Sequence, residues 1–199
     1  MINVVVVYHS GYGHTRVMAE AVAQGVERHP GSQCRLVSVD DVSDHWDLLH
    51  RADAIIFGAP TYMGSASAAF KGFMEATAAF YLAQPWRDKL AAGFTNSGCL
   101  CGDKLNTLLQ LAVFAAQHSM VWVGLDLLPA RSRIGGFDGQ LNRLGSSLGA
   151  MAQSNVEQSP EQAPPAEDRC TAAHLGERVA RLAARMHRGA IDSDQGSGR

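Results

Sequence analysis

The chain opens with Ile2-Asn3-Val4-Val5-Val6-Val7-Tyr8 and turns at once through Ser10-Gly11-Tyr12-Gly13-His14-Thr15. No other stretch constrains the fold as much. A run of β-branched residues without polar alternation is a strand buried on both faces, the kind found in parallel sheets covered by helices. A helical pattern follows over Thr15 to Arg28, with Val17, Met18, Ala21, Val22 and Val26 on one side. A strand feeding a helix through a tight turn is the start of a βα unit, and its next strand lies parallel to the first.

The rhythm repeats. Cys34 to Val39 reads as a second strand and Ala54 to Phe57 as a third, with a helical pattern over Ala66 to Phe80. Leu90 to Phe94 is a fourth strand, Asp103 to Gln117 helical, and Met120 to Val123 a fifth strand ending at Gly124. The expectation is an α/β domain, a doubly wound five-stranded parallel sheet in the order 2-1-3-4-5. A chain of 199 residues, 46% hydrophobic, can bury one such core. The domain is expected over 1–187, with a long loop insertion at about 125–168 that carries Pro129, Gly145, Gly149 and the run from Ser159 to Pro165. A short amphipathic helix at Leu141 to Met151 is expected inside it. A last helix, Glu167 to Met186, sets Ala173, Leu175, Val179, Leu182 and Ala183 on one side, and the Gly/Ser/Asp-rich tail 188–199 reads as disordered.

A net charge of −2 argues against broad attraction to nucleic acid or to an anionic membrane. Four cysteines, Cys34, Cys99, Cys101 and Cys170, are too few and scattered for a disulfide scaffold. With no leader-like start and no run near the ~18 apolar residues of a spanning helix, the expected compartment is the cytoplasm.

Three loops carry chemistry. Ser10, Gly11, Tyr12, Gly13, His14 and Thr15 aim backbone N–H groups and a helix N-terminus at one point, a receptor for a phosphate without lysine or metal. The loop is neither a Walker sequence nor the dinucleotide fingerprint, since Arg16 occupies the sixth position from Gly11. Gly58-Ala59-Pro60-Thr61-Tyr62-Met63-Gly64 follows the third strand and meets the first loop at the topological switch point. Thr95-Asn96-Ser97-Gly98-Cys99-Leu100-Cys101-Gly102 follows the fourth strand and is suited to the other edge of a flat ligand. The Cys99-x-Cys101 pair invites a redox or metal role, but it has too few companions for a metal site and reads instead as small loop residues giving room near a ring. His118, just before the fifth strand, is a further candidate contact. The cluster Phe80, Tyr81, Leu82 and Trp86 is costly to expose on a monomer, which points to a homo-oligomer.

These loops and the Gln117-His118-Ser119-Met120-Val121 segment together resemble the WrbA-type NAD(P)H:quinone oxidoreductases of the flavodoxin-like superfamily. The resemblance covers about residues 1–125 and resumes over 167–187. It implies a non-covalent FMN, with Ser10 to Thr15 on the phosphate and with Thr61 to Met63 and Asn96 to Gly102 around the ring and ribityl chain. It further implies NADH or NADPH as co-substrate, a quinone-like acceptor, and a homodimer or homotetramer in which Tyr81 covers the flavin of a neighbouring subunit. Tyr62-Met63 stand where the family has Arg-Phe, and Gln117-His118 where it has paired histidines. The rival readings are a flavodoxin-type electron carrier, disfavoured by near-neutral charge, and a non-catalytic FMN-binding regulatory or assembly protein.

Overall fold

A computed structural model of the chain describes residues 1–130 and 141–196, with side chains as far as Gly189. β1 (Ile2–Tyr8) is central, flanked in parallel by β2 (Ser32–Ser38) and β3 (Ala54–Tyr62). A two-residue strand, β4 (Ser65–Ala66), folds back antiparallel on the end of β3. β5 (Leu90–Ser97) pairs with the other side of β3. The fifth position is split between two strands. β6 (Val121–Trp122) lies beside Leu90–Ala91, and β7 (Ala150–Gln153) beside Phe94–Ser97. The order β2-β1-β3-β5-β6 is the expected 2-1-3-4-5.

The split corrects one expectation: Ala150–Gln153 is strand, not the end of a helix begun at Leu141. Ala150 and Ala152 are buried while Met151 and Gln153 are half-buried, a two-residue alternation that suits a sheet. Gly149 admits the strand, because a Cβ there would strike the carbonyl of Gly93. Residues 131–140, part of the same expected insertion, lie outside the described residues.

β1 is buried on both faces as its composition demands. Val4 and Val6 join α1 (His14–Glu27) and α5 (Ala166–Gly196) in one core. Val5 and Val7 join the other, with α2 (Trp46–Arg51), α3 (Ala68–Ala76) and α4 (Lys104–Gln117). α1 and α5 approach backbone to backbone: a Cβ on Gly25 would strike the carbonyl of Ala173, and one on Gly176 that of Val22. α5 continues to Gly196, so the tail expected from 188 is helical that far. No proline interrupts this stretch, and a lone glycine such as Gly189 weakens a helix without ending it. The aromatic cluster mostly folds inward. Trp86 is fully buried against Phe57, Phe80 and Phe114, leaving Tyr81 and Leu82 outside.

Candidate functional site

The carboxyl ends of β1, β3, β5 and β7 converge on a cavity of about 330 Å³, within the usual size of small-molecule sites. Each strand supplies a wall.

After β1, the chain is held by the His9 N–H donating to the carbonyl of Gly58 and turns at Gly13, φ 88°, a left-handed position that favours glycine. α1 begins here with no side-chain cap and no acidic residue in its first turn. Its opening N–H groups from Tyr12 to Thr15 have no acceptor among the described residues. Ser10 Oγ accepts from the N–H of Arg16 at 3.1 Å, which leaves its O–H free to donate. Tyr12, His14 and Thr15 line the cavity. A helix N-terminus with unspent donors and a hydroxyl beside it is a receptor for an anion.

β3 contributes Pro60, Thr61 and Tyr62. Thr61 is buried in a chain of hydroxyls, with Oγ1 2.7 Å from both Thr95 Oγ1 and Thr107 Oγ1. The Tyr62 ring meets Tyr12 edge to face at 6.1 Å, and burial pushes its phenol pKa up. The backbone of Gly11 lies so near that a Cβ there would stand 2.7 Å from Tyr62 Oη. Met63 (φ 50°) and Gly64 (φ 78°) form the reversal after the strand, and Met63 points to solvent rather than into the cavity.

β5 supplies Asn96, Ser97 and Gly98, whereas Cys99, Leu100 and Cys101 are exposed beyond the rim. Gly102 (φ 55°) turns the chain into α4. Met63, Cys99, Leu100 and Cys101, expected beside the ring, are thus not brought into the lining of this cavity. Below the loop lies Lys104, 1% exposed, whose ammonium donates to Ser97 Oγ (3.0 Å), Cys99 O (2.5 Å) and Leu100 O (2.9 Å). Burial lowers its pKa.

The fourth wall was not foreseen. Ser154 and Val156, just past β7, line the cavity, and Ser154 Oγ donates to Asn96 Oδ1 at 2.9 Å. The chain then crosses the first loop: His14 Nε2 lies 2.8 Å from the carbonyl of Gln158, and Pro160 covers Gly13. β7 is fastened to α5 through Asp168, 1% exposed. Its carboxylate accepts from Arg143 Nε and Nη2, each at 2.7 Å, and from the N–H of Gln153 at 2.9 Å. Burial nevertheless holds this carboxyl above the usual range. Gln153 Nε2 in turn donates to Gly98 O at 3.1 Å. The period-two spacing of Ala150 and Ala152 was the available signal, masked by reading the segment as a helix.

His118 and Tyr81 stand apart from this cavity. A residue just before a strand sits at the strand's amino end, while ligand loops follow the carboxyl ends. His118 packs there, 2% exposed, with Nε2 2.9 Å from Thr77 Oγ1 and Nδ1 buried without a partner. Burial lowers its pKa. Tyr81 meets it edge to face at 6.2 Å, and both line a second cup of about 320 Å³ with Met74 and Phe114.

Among the described residues, no aspartate or glutamate lines the main cavity. Among the described residues no three histidine, cysteine or acidic groups gather as metal ligands, and no helix is long and apolar enough to cross a membrane.

A flavodoxin-domain family model matches residues 5–92. Flavodoxin FldP of Pseudomonas aeruginosa is 41% identical over 191 residues, covering 94% of this chain and all of that protein. An NAD(P)H dehydrogenase (quinone) of Geobacter sulfurreducens is 33% identical over 208 residues, covering 93% of this chain and 99% of that one. Among solved structures, a WrbA-like flavodoxin from Agrobacterium tumefaciens is 41% identical with a TM-score of 0.73, covering 93% of this chain and 99% of that one.

Proposed function

The chain belongs to the flavodoxin-like family, and on that premise we propose that it holds FMN in the main cavity and passes hydride from NADH or NADPH to a quinone-like acceptor. The observation that carries this reading is the uncapped start of α1, where N–H groups and Thr15 face the cavity without protein partners. This donor set fits a terminal phosphate, and the space between Tyr62 and Asn96–Gly98 is the slot for a ring system. Bound FMN would supply the hydride chemistry; the protein supplies position and electrostatics.

The residues divide that work. Ser10, Gly11, Gly13 and Thr15 would hold the phosphate. Thr61 is fixed by Thr95 and Thr107 and cannot swing into the slot. Gln153 pins the carbonyl of Gly98 at the opposite edge. Tyr12 and Tyr62 shield the slot from water on one side.

The net charge of −2 favours an enzyme over a carrier, since carriers dock their partners through dense acidic surfaces. The second cup supports a homodimer or homotetramer. Tyr81, half exposed on its rim, is the side chain a neighbouring subunit's slot would meet, while His118 supports it from beneath. The outer face of α4 agrees with this: Leu105, Leu109 and Val113 are exposed at four-residue spacing, and beyond the buried Lys104 the helix carries no charge.

The test is the absorption spectrum of the purified protein, followed by NADH and NADPH oxidation with and without benzoquinone. A flavin spectrum with quinone-stimulated oxidation is expected. Failure to oxidise either nucleotide would overturn the enzymatic reading. Light scattering of the wild type and of Tyr81→Ala tests the shared site, and a monomer with full activity after that substitution would end it.

A further inference from the structure

Cys99 and Cys101 remain unexplained by the flavin reading. Both are free thiols, both are exposed, and only Leu100 separates them. The backbone around them is bent, and its shape is imposed from beneath. The single ammonium of Lys104 takes the consecutive carbonyls of Cys99 and Leu100, at 2.5 and 2.9 Å, which folds the chain about Leu100. Two Cα steps of 3.80 Å across such a bend put Cys99 and Cys101 within roughly 7 Å, overlapping the disulfide window of about 4.4–6.8 Å.

One buried cation, Lys104, lies beneath the bend. No carboxylate pairs with Lys104 among the described residues, and α4 begins just beyond with Asp103 giving no side-chain cap. Exposed thiols with a second thiol nearby are open to oxidation and to resolution as a disulfide. The chain holds its own contrast in Cys34, whose thiol is pushed up to about 12 by burial. A metal is a poorer occupant, because two sulfurs with no third ligand group do not complete a site.

We propose that Cys99 and Cys101 form a reversible dithiol/disulfide pair oxidised by hydroperoxides. One sulfur attacks the peroxide, the O–O bond breaks, and the thiol becomes a sulfenic acid as one water leaves in the case of hydrogen peroxide. The second sulfur attacks the first, the S–S bond forms, and a second water leaves. Two thiols give up two protons and two electrons, which the peroxide takes, and an external dithiol reverses the change. The bridge pulls together the two residues above Lys104, and the same ammonium holds Ser97 in the cavity wall. Closure of the bridge therefore alters the flavin slot, a consequence that rests on the FMN reading.

The test treats the full-length protein, flavin-free and as purified, with graded hydrogen peroxide, then labels thiols with a maleimide under denaturing conditions. Labelling is expected to fall from all four cysteines to two per chain, with a bridged 99–101 peptide in the mass spectrum and full recovery in dithiothreitol. Cys99→Ser and Cys101→Ser should each abolish that peptide. Full labelling throughout, or a loss of the same size in Cys99→Ser/Cys101→Ser, overturns the proposal. FMN titration of the oxidised protein should show affinity at least about threefold weaker, absent in Cys99→Ser; equal affinity in both states overturns the link to the slot. Because the thiol count is read on flavin-free protein, failure to bind FMN at all counts against the functional reading and not against the dithiol.

Discussion

Thr15→Val isolates the phosphate receptor from the rest of the fold. Thr15 is 2% exposed, stands in the first turn of α1, and lines the cavity, yet its hydroxyl makes no hydrogen bond among the described residues. Valine has nearly the same shape, so packing survives and no protein partner is orphaned. What is lost is one donor aimed at a dianion beside a helix N-terminus. A hydrogen bond to a charged group contributes about 1.5–3 kcal/mol, and each 1.4 kcal/mol is a factor of ten, so FMN binding should weaken roughly 10- to 150-fold. Flavin fluorescence titration reads this directly, with riboflavin as the comparison because it has the ring but no phosphate. Riboflavin affinity should be unchanged, and Tm of the flavin-free protein should move little. If Thr15→Val binds FMN as tightly as the wild type, or weakens riboflavin by the same factor, the phosphate does not sit at the start of α1.

Gly176→Ala should lower unfolding free energy by about 3 kcal/mol or more in a urea titration, because its Cβ would strike the backbone of Val22 and neither helix can yield. Asp168→Asn should lower it by about 2–3 kcal/mol, since Arg143 keeps a neutral partner in place of a carboxylate; an unchanged denaturation midpoint would remove this ion pair from the account. His118 imposes an acid dependence. Above its ordinary value of 6.5 the imidazole is neutral whether folded or not. As pH falls below 6.5 the unfolded chain takes up a proton that buried His118 refuses until its own lower pKa, so stability declines through that window, and His50 is shifted the same way by burial. Urea titrations at about pH 7.5 and about pH 5.5 should show a smaller decline in His118→Asn than in the wild type.

The five-strand order and both central loops could be read because β1 and β3 are buried on two faces, which leaves an unbroken apolar run, and because glycines mark the turns after them. The end of the sheet could not. β6 contributes only Val121–Trp122 to the sheet, and the strand that completes its position comes from Ala150–Gln153, after an interval the chain does not announce. Lys104 and Asp168 were invisible for a different reason. Sequence records them as charges at helix starts, and only tertiary packing decides that one lies beneath a loop and the other inside a strand–helix junction. His118 stands apart from the main cavity because it occupies the amino end of its strand, which nearness in sequence does not register.

The divided fifth strand separates two stabilities that a single strand would have fused. β6 is paired with the amino half of β5, which lies deep in the scaffold, while β7 is paired with the carboxyl half that forms the cavity wall. Opening of β7 therefore need not carry β6 with it. A ligand filling the cavity would slow amide exchange in Ala150–Gln153 and leave Val121–Trp122 at its original rate. Occupancy would thus be written into one half of the strand position alone.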